Sequence, residues 1–303
     1  MDLIFLGTSG ATPTKTRNLP AVALRLDSGH ILLFDAGEDV QRRFEAANLK
    51  FNVPTTIFIS HLHGDHIIGL PGLLFNFHLN SRTKPLTIIG PFGIASFLLM
   101  HYQIVGLKAE KYPLTVIEVI PPYIINGENS DSFSDVLNVN TRLIKYSQFL
   151  TPNYERTVYN RSDNIVFSTK KYQVKYAWVE HSVPTMGFRF EEMPLDGKFN
   201  PNRAIEMGVP RGSLWKQMQK GKKVKLNSGI EIDPLESGIV SPPRPGRIIC
   251  YSADSKRCVG LINLAKKADV FICEATYGKE FADLAEEKKH LTAATAAEIA
   301  KEA

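Results

Sequence analysis

The chain has 303 residues, enough to bury a substantial core as one large domain or two smaller ones. With 44% hydrophobic and 22% charged residues its composition is that of a globular protein, which excludes wholesale disorder, and no apolar run is long enough for a membrane span. Three cysteines at no zinc-ribbon spacing, and an N-terminus without a signal-peptide pattern, predict a reduced cytoplasmic protein.

In chain order, residues 3–6, 21–26 and 31–34 read as strands, with Asp27-Ser28-Gly29 a hairpin turn between the last two. Helical spacing follows over 38–48, and Val53-Pro54 stops it. Residues 55–59 form a buried-type strand. Helices are predicted at 72–79 and 94–102, strands at 86–89 and 114–120. Residues 126–165 are rich in Asn, Ser, Asp and Thr with no sustained period, which predicts an irregular insertion without an assigned role. Strand character returns at 172–179 and 186–190. A proline-rich stretch, 241–246, precedes a strand at 247–251, a helix at 256–267, a strand at 270–273 and helices at 279–288 and 293–303. Such alternation predicts an α/β protein, either a four-layer αββα sandwich or a doubly wound sheet.

Charge is concentrated. Residues 196–226 hold eight basic side chains and two acids, a net +6 in a chain of net +5. The remainder is therefore close to neutral. A confined basic block of this kind fits a polyanion-binding element, and a solvated lysine-rich loop fits the charge count equally well.

The chemistry lies in His61-Leu62-His63-Gly64-Asp65-His66, directly after the strand at 55–59. In extended chain, residues i and i+2 point the same way, so His61 and His63 can face one metal. Gly64 permits a turn that swings Asp65 and His66 towards a second position. Imidazoles and a carboxylate, with no thiolate, suit zinc or a similar ion at a site other than a closed structural one. By chance the pattern is expected on the order of 10⁻⁴ times in a chain of this composition.

Several further motifs narrow the reading: Leu6-Gly7-Thr8-Ser9-Gly10, Pro13-Thr14-Lys15-Thr16-Arg17-Asn18, Leu33-Phe34-Asp35-Ala36-Gly37-Glu38, and Gly69-Leu70-Pro71-Gly72. Later come His181-Ser182-Val183-Pro184, Tyr251-Ser252-Ala253-Asp254, Cys273-Glu274-Ala275-Thr276 and His290-Leu291-Thr292. Together, and in this order, they resemble ribonuclease Z, the tRNA 3′-processing endonuclease of the metallo-β-lactamase superfamily. The resemblance covers most of the chain apart from residues 121–170.

The resemblance implies a single α/β domain, the four-layer αββα metallo-β-lactamase sandwich, with a basic tRNA-binding arm inserted at 191–246. It implies two zinc ions: His61, His63 and His181 on one, Asp65 and His66 on the other, Asp254 bridging. Asp65 would orient or deprotonate the nucleophile, and His290 would be the general acid, with Glu274 its orienting partner. Asp35 would support the metal loop through hydrogen bonds. Lys15 and Arg17 would meet the acceptor end, while Arg211, Lys216, Lys220, Lys222 and Lys223 of the flexible arm would take phosphates, with Trp215 packed or stacked nearby. Precursor tRNA is the implied partner, along with a second copy in a homodimer.

The segment between His66 and His181 is longer than the family pattern. The family also takes a further histidine ligand beyond the His290 motif, whereas this chain stops at Ala303 in a helical run without a stop signal, which predicts a shortened C-terminus and a weak or empty second zinc site. Two other classes of function share parts of this pattern. A metallo-β-lactamase-fold hydrolase of small esters or thioesters would need the histidines but not the basic block. A non-catalytic RNA-binding scaffold would need the block but not the complete N-terminal ligand set.

Overall fold

A computed structural model describes residues 1–106, 112–121, 154–159 and 164–303. Its first sheet has seven strands in chain order: β1 (Asp2–Gly7), β2 (Ala21–Arg25), β3 (Ile31–Phe34), β4 (Thr55–Phe58), β5 (Leu86–Pro91), β6 (Leu114–Val119) and β7 (Tyr154–Tyr159). β1 to β3 form an antiparallel meander, and pairing is parallel from β3 onward. The second sheet runs β14 (Val270–Ile272), β13 (Ile248–Tyr251), β10 (Thr185–Glu192), β9 (Tyr172–Val179), β8 (Ile165–Ser168).

Strand β3 shows why the layers stack as they do. All four of its residues are apolar and buried, the mark of a strand covered on both faces. Ile31 and Leu33 face an outer core shared with helices α1 (Val40–Ala46), α3 (Gly69–Leu79) and α4 (Ile94–Val105). Leu32 and Phe34 face the other way, into a core between the sheets built with Phe58, Val174, Phe188 and Tyr251. A fourth layer, helices α7 (Val259–Ala265) and α9 (Ala293–Glu302), covers the second sheet through Leu261 and Ile299, with Leu291 of the preceding loop packed beside them. The architecture is therefore the four-layer αββα sandwich.

Two elements differ from the sequence reading. Helix α3 starts at Gly69 rather than at residue 72. Gly-Leu-Pro-Gly reads as a breaker, but a proline in a first turn gives up an N–H that has no intrahelical partner anyway. Gly69 is also required there, because a Cβ would stand 1.9 Å from the Gly37 carbonyl oxygen. Within the stretch expected to be irregular, Tyr154–Tyr159 is a strand paired parallel to β6. Its Glu-Arg-Thr centre hides the apolar signal, and its propensity lies in Tyr, Thr and Val. The rest of that expected insertion, residues 126–153 and 160–163, lies outside the described residues.

The segment expected as the arm has its own small core of Ala204, Val209, Met218, Val224, Ile232 and Ile239. It contains helices α5 (Pro201–Glu206) and α6 (Ser213–Gln219) and the hairpin β11 (Val224–Lys225)–β12 (Glu231–Ile232). A narrow stem carries it: Leu195 and Arg244 exchange both backbone hydrogen bonds at 2.9 Å.

One buried cation braces the loops on the far side of α3. Arg82 is fully buried and donates to the carbonyls of Phe51, Val53, Lys84 and Pro85 at 2.6–2.9 Å, while stacking on Phe77. Burial lowers its pKa to about 10. Replacing Arg82 by alanine strands four carbonyls, and is expected to destabilise the fold by about 3–5 kcal/mol. Urea denaturation of wild type and variant measures this; a change below about 1 kcal/mol would show that water replaces the guanidinium freely.

Candidate metal centre and catalytic cleft

The histidine loop leaves β4 and ends in a single turn of helix α2 (Gly64–Ile67). Asp35 organises it from the end of β3. Its backbone is left-handed, at φ 59°, and its carboxylate is fully buried. Oδ1 accepts from the Ser60 N–H at 2.7 Å. Oδ2 accepts from Ser60 Oγ at 2.8 Å, from His66 Nδ1 at 2.7 Å and from the Tyr251 hydroxyl at 2.6 Å. Since Nδ1 of His66 is the donor here, Nε2 is left to face the cleft. Asp35 therefore does what the sequence suggested. Tyr251 holds Asp35 in turn from the second sheet, a contact the sequence reading missed.

The donor atoms converge. His61 Nε2 lies 3.1 Å from His63 Nδ1, which lies 3.2 Å from His181 Nε2. His66 Nε2 faces Asp65 Oδ2 at 3.6 Å and Asp254 Oδ2 at 3.4 Å. His61, His63 and His181 form one group with ligand atoms within 4.8 Å of one another, and His61, His66 and Asp254 form another. A third such group joins His181 and Asp254 to His290. Asp65 Oδ2 also accepts from the Ala11 N–H at 2.9 Å. All six expected metal residues thus meet at one place, with His290 beside them.

Burial drives the His61 pKa down to about 2, with the neighbouring His66 adding to the shift. Burial lowers His181 as well. Both are thus neutral imidazoles, the form that binds metal. Burial also opposes the charged form of Asp254, but the 3.4 Å contact and the charge of His66 outweigh it and hold the carboxyl well below the usual range. The buried His66 Nε2 has no hydrogen-bond partner. A buried polar atom in that state needs explaining, and a metal ion among these nitrogens and carboxylates would supply the missing interaction.

His290 Nδ1 is 2.9 Å from Glu274 Oε1 and 4.0 Å from Asp254 Oδ2. Burial works against its charge, yet the hydrogen bond to Glu274 raises its pKa above the ordinary value. Glu274 also accepts from the Ser255 N–H and from the Thr276 hydroxyl, which fixes it in place. Lys289, left-handed at φ 56°, was not singled out from sequence. Its carbonyl accepts from His181 Nδ1 at 3.1 Å and its Nζ donates to the His181 carbonyl at 3.2 Å, so one residue ties the His181 and His290 loops together.

His63, Asp65, His66, His181, Asp254 and His290 line a cleft of about 1080 Å³ at the rim of the sandwich. Arg17 lines it; Lys15 is exposed on the same loop and does not. Arg211, Lys216, Lys220, Lys222 and Lys223 are exposed on the separate small core, not in the cleft. Lys223 is paired with Asp233 at 3.2 Å. Trp215 packs on Phe199 with ring centres 5.0 Å apart and donates Nε1–H to the Val209 carbonyl, while Arg211 lies over its ring at 5.6 Å.

Comparisons with known proteins bear on the fold and the family. YhfI from Bacillus subtilis, a metallo-β-lactamase fold protein, superimposes with a TM-score of 0.57 at 14% identity, covering 99% of this chain and 80% of that one. Human tRNase Z, short form, superimposes with a TM-score of 0.67 at 27% identity, covering 100% and 88%. The fold is thus that of the metallo-β-lactamases, with the histidine and aspartate cluster at its rim. A family model described as the anti-Pycsar protein Apyc1 matches residues 1–117, the first-sheet half that carries the histidine loop. Ribonuclease Z of Methanosarcina mazei is 34% identical over 303 residues, covering all of this chain and 84% of that protein; the Bacillus licheniformis enzyme is 33% identical over 305. The chain belongs to the ribonuclease Z family.

Proposed function

We propose that the protein is a zinc-dependent endoribonuclease that removes the 3′ trailer from precursor tRNA, leaving a 3′-hydroxyl on the tRNA. In this reading it acts in the cytoplasm as a homodimer. The observation that carries the metal-dependent part is the convergence of His61, His63, His181, His66, Asp65 and Asp254, with His66 Nε2 buried between two carboxylates and without a hydrogen bond. Family membership supports the substrate.

His61, His63 and His181 would hold one ion, Asp65 and His66 the second, with Asp254 between them. Two zinc ions held there would supply Lewis acidity towards the phosphodiester oxygens and would make water a stronger acid near neutral pH. Asp65, anchored by the Ala11 N–H, orients the attacking water and receives its proton. His290, held by Glu274, gives a proton to the departing O3′ of the last retained nucleotide. The exposed arm cations take phosphates of the tRNA body without reading sequence.

Incubation of precursor tRNA with the zinc-loaded protein, followed by analysis of both product ends, tests the reading. Trimmed tRNA with a 3′-hydroxyl and a trailer with a 5′-phosphate are expected, and an uncut precursor from protein shown to hold two zinc ions would refute it. A His290→Ala variant separates the roles. It should lose about 10²–10⁴-fold on tRNA, whose alkoxide leaving group needs a proton. It should be nearly unaffected on a p-nitrophenyl phosphodiester, whose phenolate leaves without one.

A further inference from the structure

To bind a metal, an imidazole presents one bare nitrogen and gives the proton on its other nitrogen to an acceptor. For His66 that acceptor is Asp35, and for His181 it is the Lys289 carbonyl. His61, fully buried, is served differently. Its Nδ1 lies 2.9 Å from the Oγ of Ser60, the residue immediately before it. Proton counting decides which of the two donates. A serine hydroxyl has one proton to give and lone pairs to accept with, whereas a carboxylate only accepts. Ser60 Oγ stands 2.8 Å from Asp35 Oδ2, so its proton goes there. Were the proton turned towards His61, the two oxygens would face each other bare at that distance, both on fully buried side chains. The hydroxyl therefore accepts from His61 Nδ1–H, and His61 Nε2, 3.1 Å from His63 Nδ1, is left bare towards the donor cage.

We propose that Ser60 is a positioning residue of the metal centre: by passing its own proton to Asp35 and accepting the one on His61 Nδ1, it fixes which nitrogen of His61 faces the metal. The proposal rests on the metal-dependent part of the reading above. Ser60 is itself held on every polar group. Its N–H donates to Asp35 Oδ1 at 2.7 Å, and its carbonyl accepts from the Met186 N–H of β10 at 3.0 Å. The hydroxyl therefore cannot swing away without breaking bonds in a place where water does not replace them. Asp35 thus sets two imidazoles, His66 directly and His61 through Ser60, and one carboxylate orients a ligand in each of two donor groups. Ser60 touches neither metal nor substrate in this scheme and acts only through His61.

Two readouts on the whole chain test this: the histidine tautomers of the metal-free protein, from nitrogen NMR of isotope-labelled imidazoles, and zinc affinity, from competition with a chelator. In wild type, His61 should carry its proton on Nδ1. Ser60→Ala leaves that nitrogen without an acceptor, so the Nε2–H form should become populated at His61. His66, still held by Asp35, should keep its proton on Nδ1. Zinc affinity for one ion per chain should fall about 10–100-fold, the usual cost of losing a group that orients a metal ligand. Ser60→Thr keeps the hydroxyl and should restore both readouts. A role in packing alone would lower the melting temperature of the metal-free protein and leave the His61 tautomer where it was. An Nε2–H His61 in wild type overturns the proposal without any variant. So does Ser60→Ala protein with wild-type zinc affinity, or with a lowered affinity and an unchanged His61 tautomer. Wild type that binds no zinc overturns the metal-dependent reading, and the proposal with it.

Discussion

Replacing His63 by alanine is expected to remove bound zinc and to cut phosphodiester hydrolysis by more than about 10³-fold, a barrier increase of about 4 kcal/mol. His63 stands between His61 and His181, with Nδ1 3.1 and 3.2 Å from their Nε2 atoms, so its loss opens one whole face of the donor cage. The metal-free fold should be little changed, because His63 lies at the rim and only half-buried, whereas His61 is fully buried. Elemental analysis of dialysed protein, calorimetry with zinc and thermal melting with and without metal measure the three parts separately. In wild type zinc should raise the melting temperature, since it binds only the folded chain, and in the variant this rise should shrink. Full zinc content with normal turnover would remove the two-metal assignment.

Excising the arm is expected to have the second largest effect, confined to macromolecular substrates. The Leu195–Arg244 pair closes the stem like the base of a hairpin, and the arm packs on a core of its own. A short turn joining residues 195 and 244 should therefore leave the sandwich intact. Precursor tRNA should then bind about 10²-fold more weakly near physiological salt, with a visibly shallower salt dependence, because several phosphate contacts are gone. Hydrolysis of the p-nitrophenyl phosphodiester should stay within about twofold of wild type, as the donor cage lies outside the arm. Titration of labelled tRNA at several salt concentrations checks the first claim, and steady-state kinetics the second. Equal losses on both substrates would make the arm a folding element. Lys223 should contribute less than Lys216, Lys220 or Lys222, since Asp233 already neutralises it.

What could be read from the residues beforehand was whatever is local in sequence. Strands β2, β3 and β9 announce themselves through apolar residues at period two or in short runs. Four potential ligands within six residues at His61–His66 need no fold to be noticed. Contacts created by packing were not legible. The Tyr251 hydroxyl reaches Asp35 only because the sheets face each other, 216 residues apart in sequence. Lys289 works through its carbonyl and a left-handed backbone, neither of which its side-chain type announces. In the arm the charge was plain but the core was not. Ala204, Val209, Met218, Val224 and Ile239 come from two helices, a hairpin and loops, so no single periodicity links them.

The topology has a consequence for how such a molecule is made. His61, His63, Asp65 and His66 come from the loop after β4, whereas His181 precedes β10 and Asp254 follows β13. A ribosome building this chain completes most of the first sheet and its helices early, and that half can gather around its outer core. At that stage the donor cage is one loop with an open side, and Asp35 still lacks the Tyr251 hydroxyl. Only when the second sheet has been synthesised and docked do His181 and Asp254 arrive. In the reading proposed here the nascent protein is a nuclease that cannot cut, and its competence dates from the docking of its two sheets.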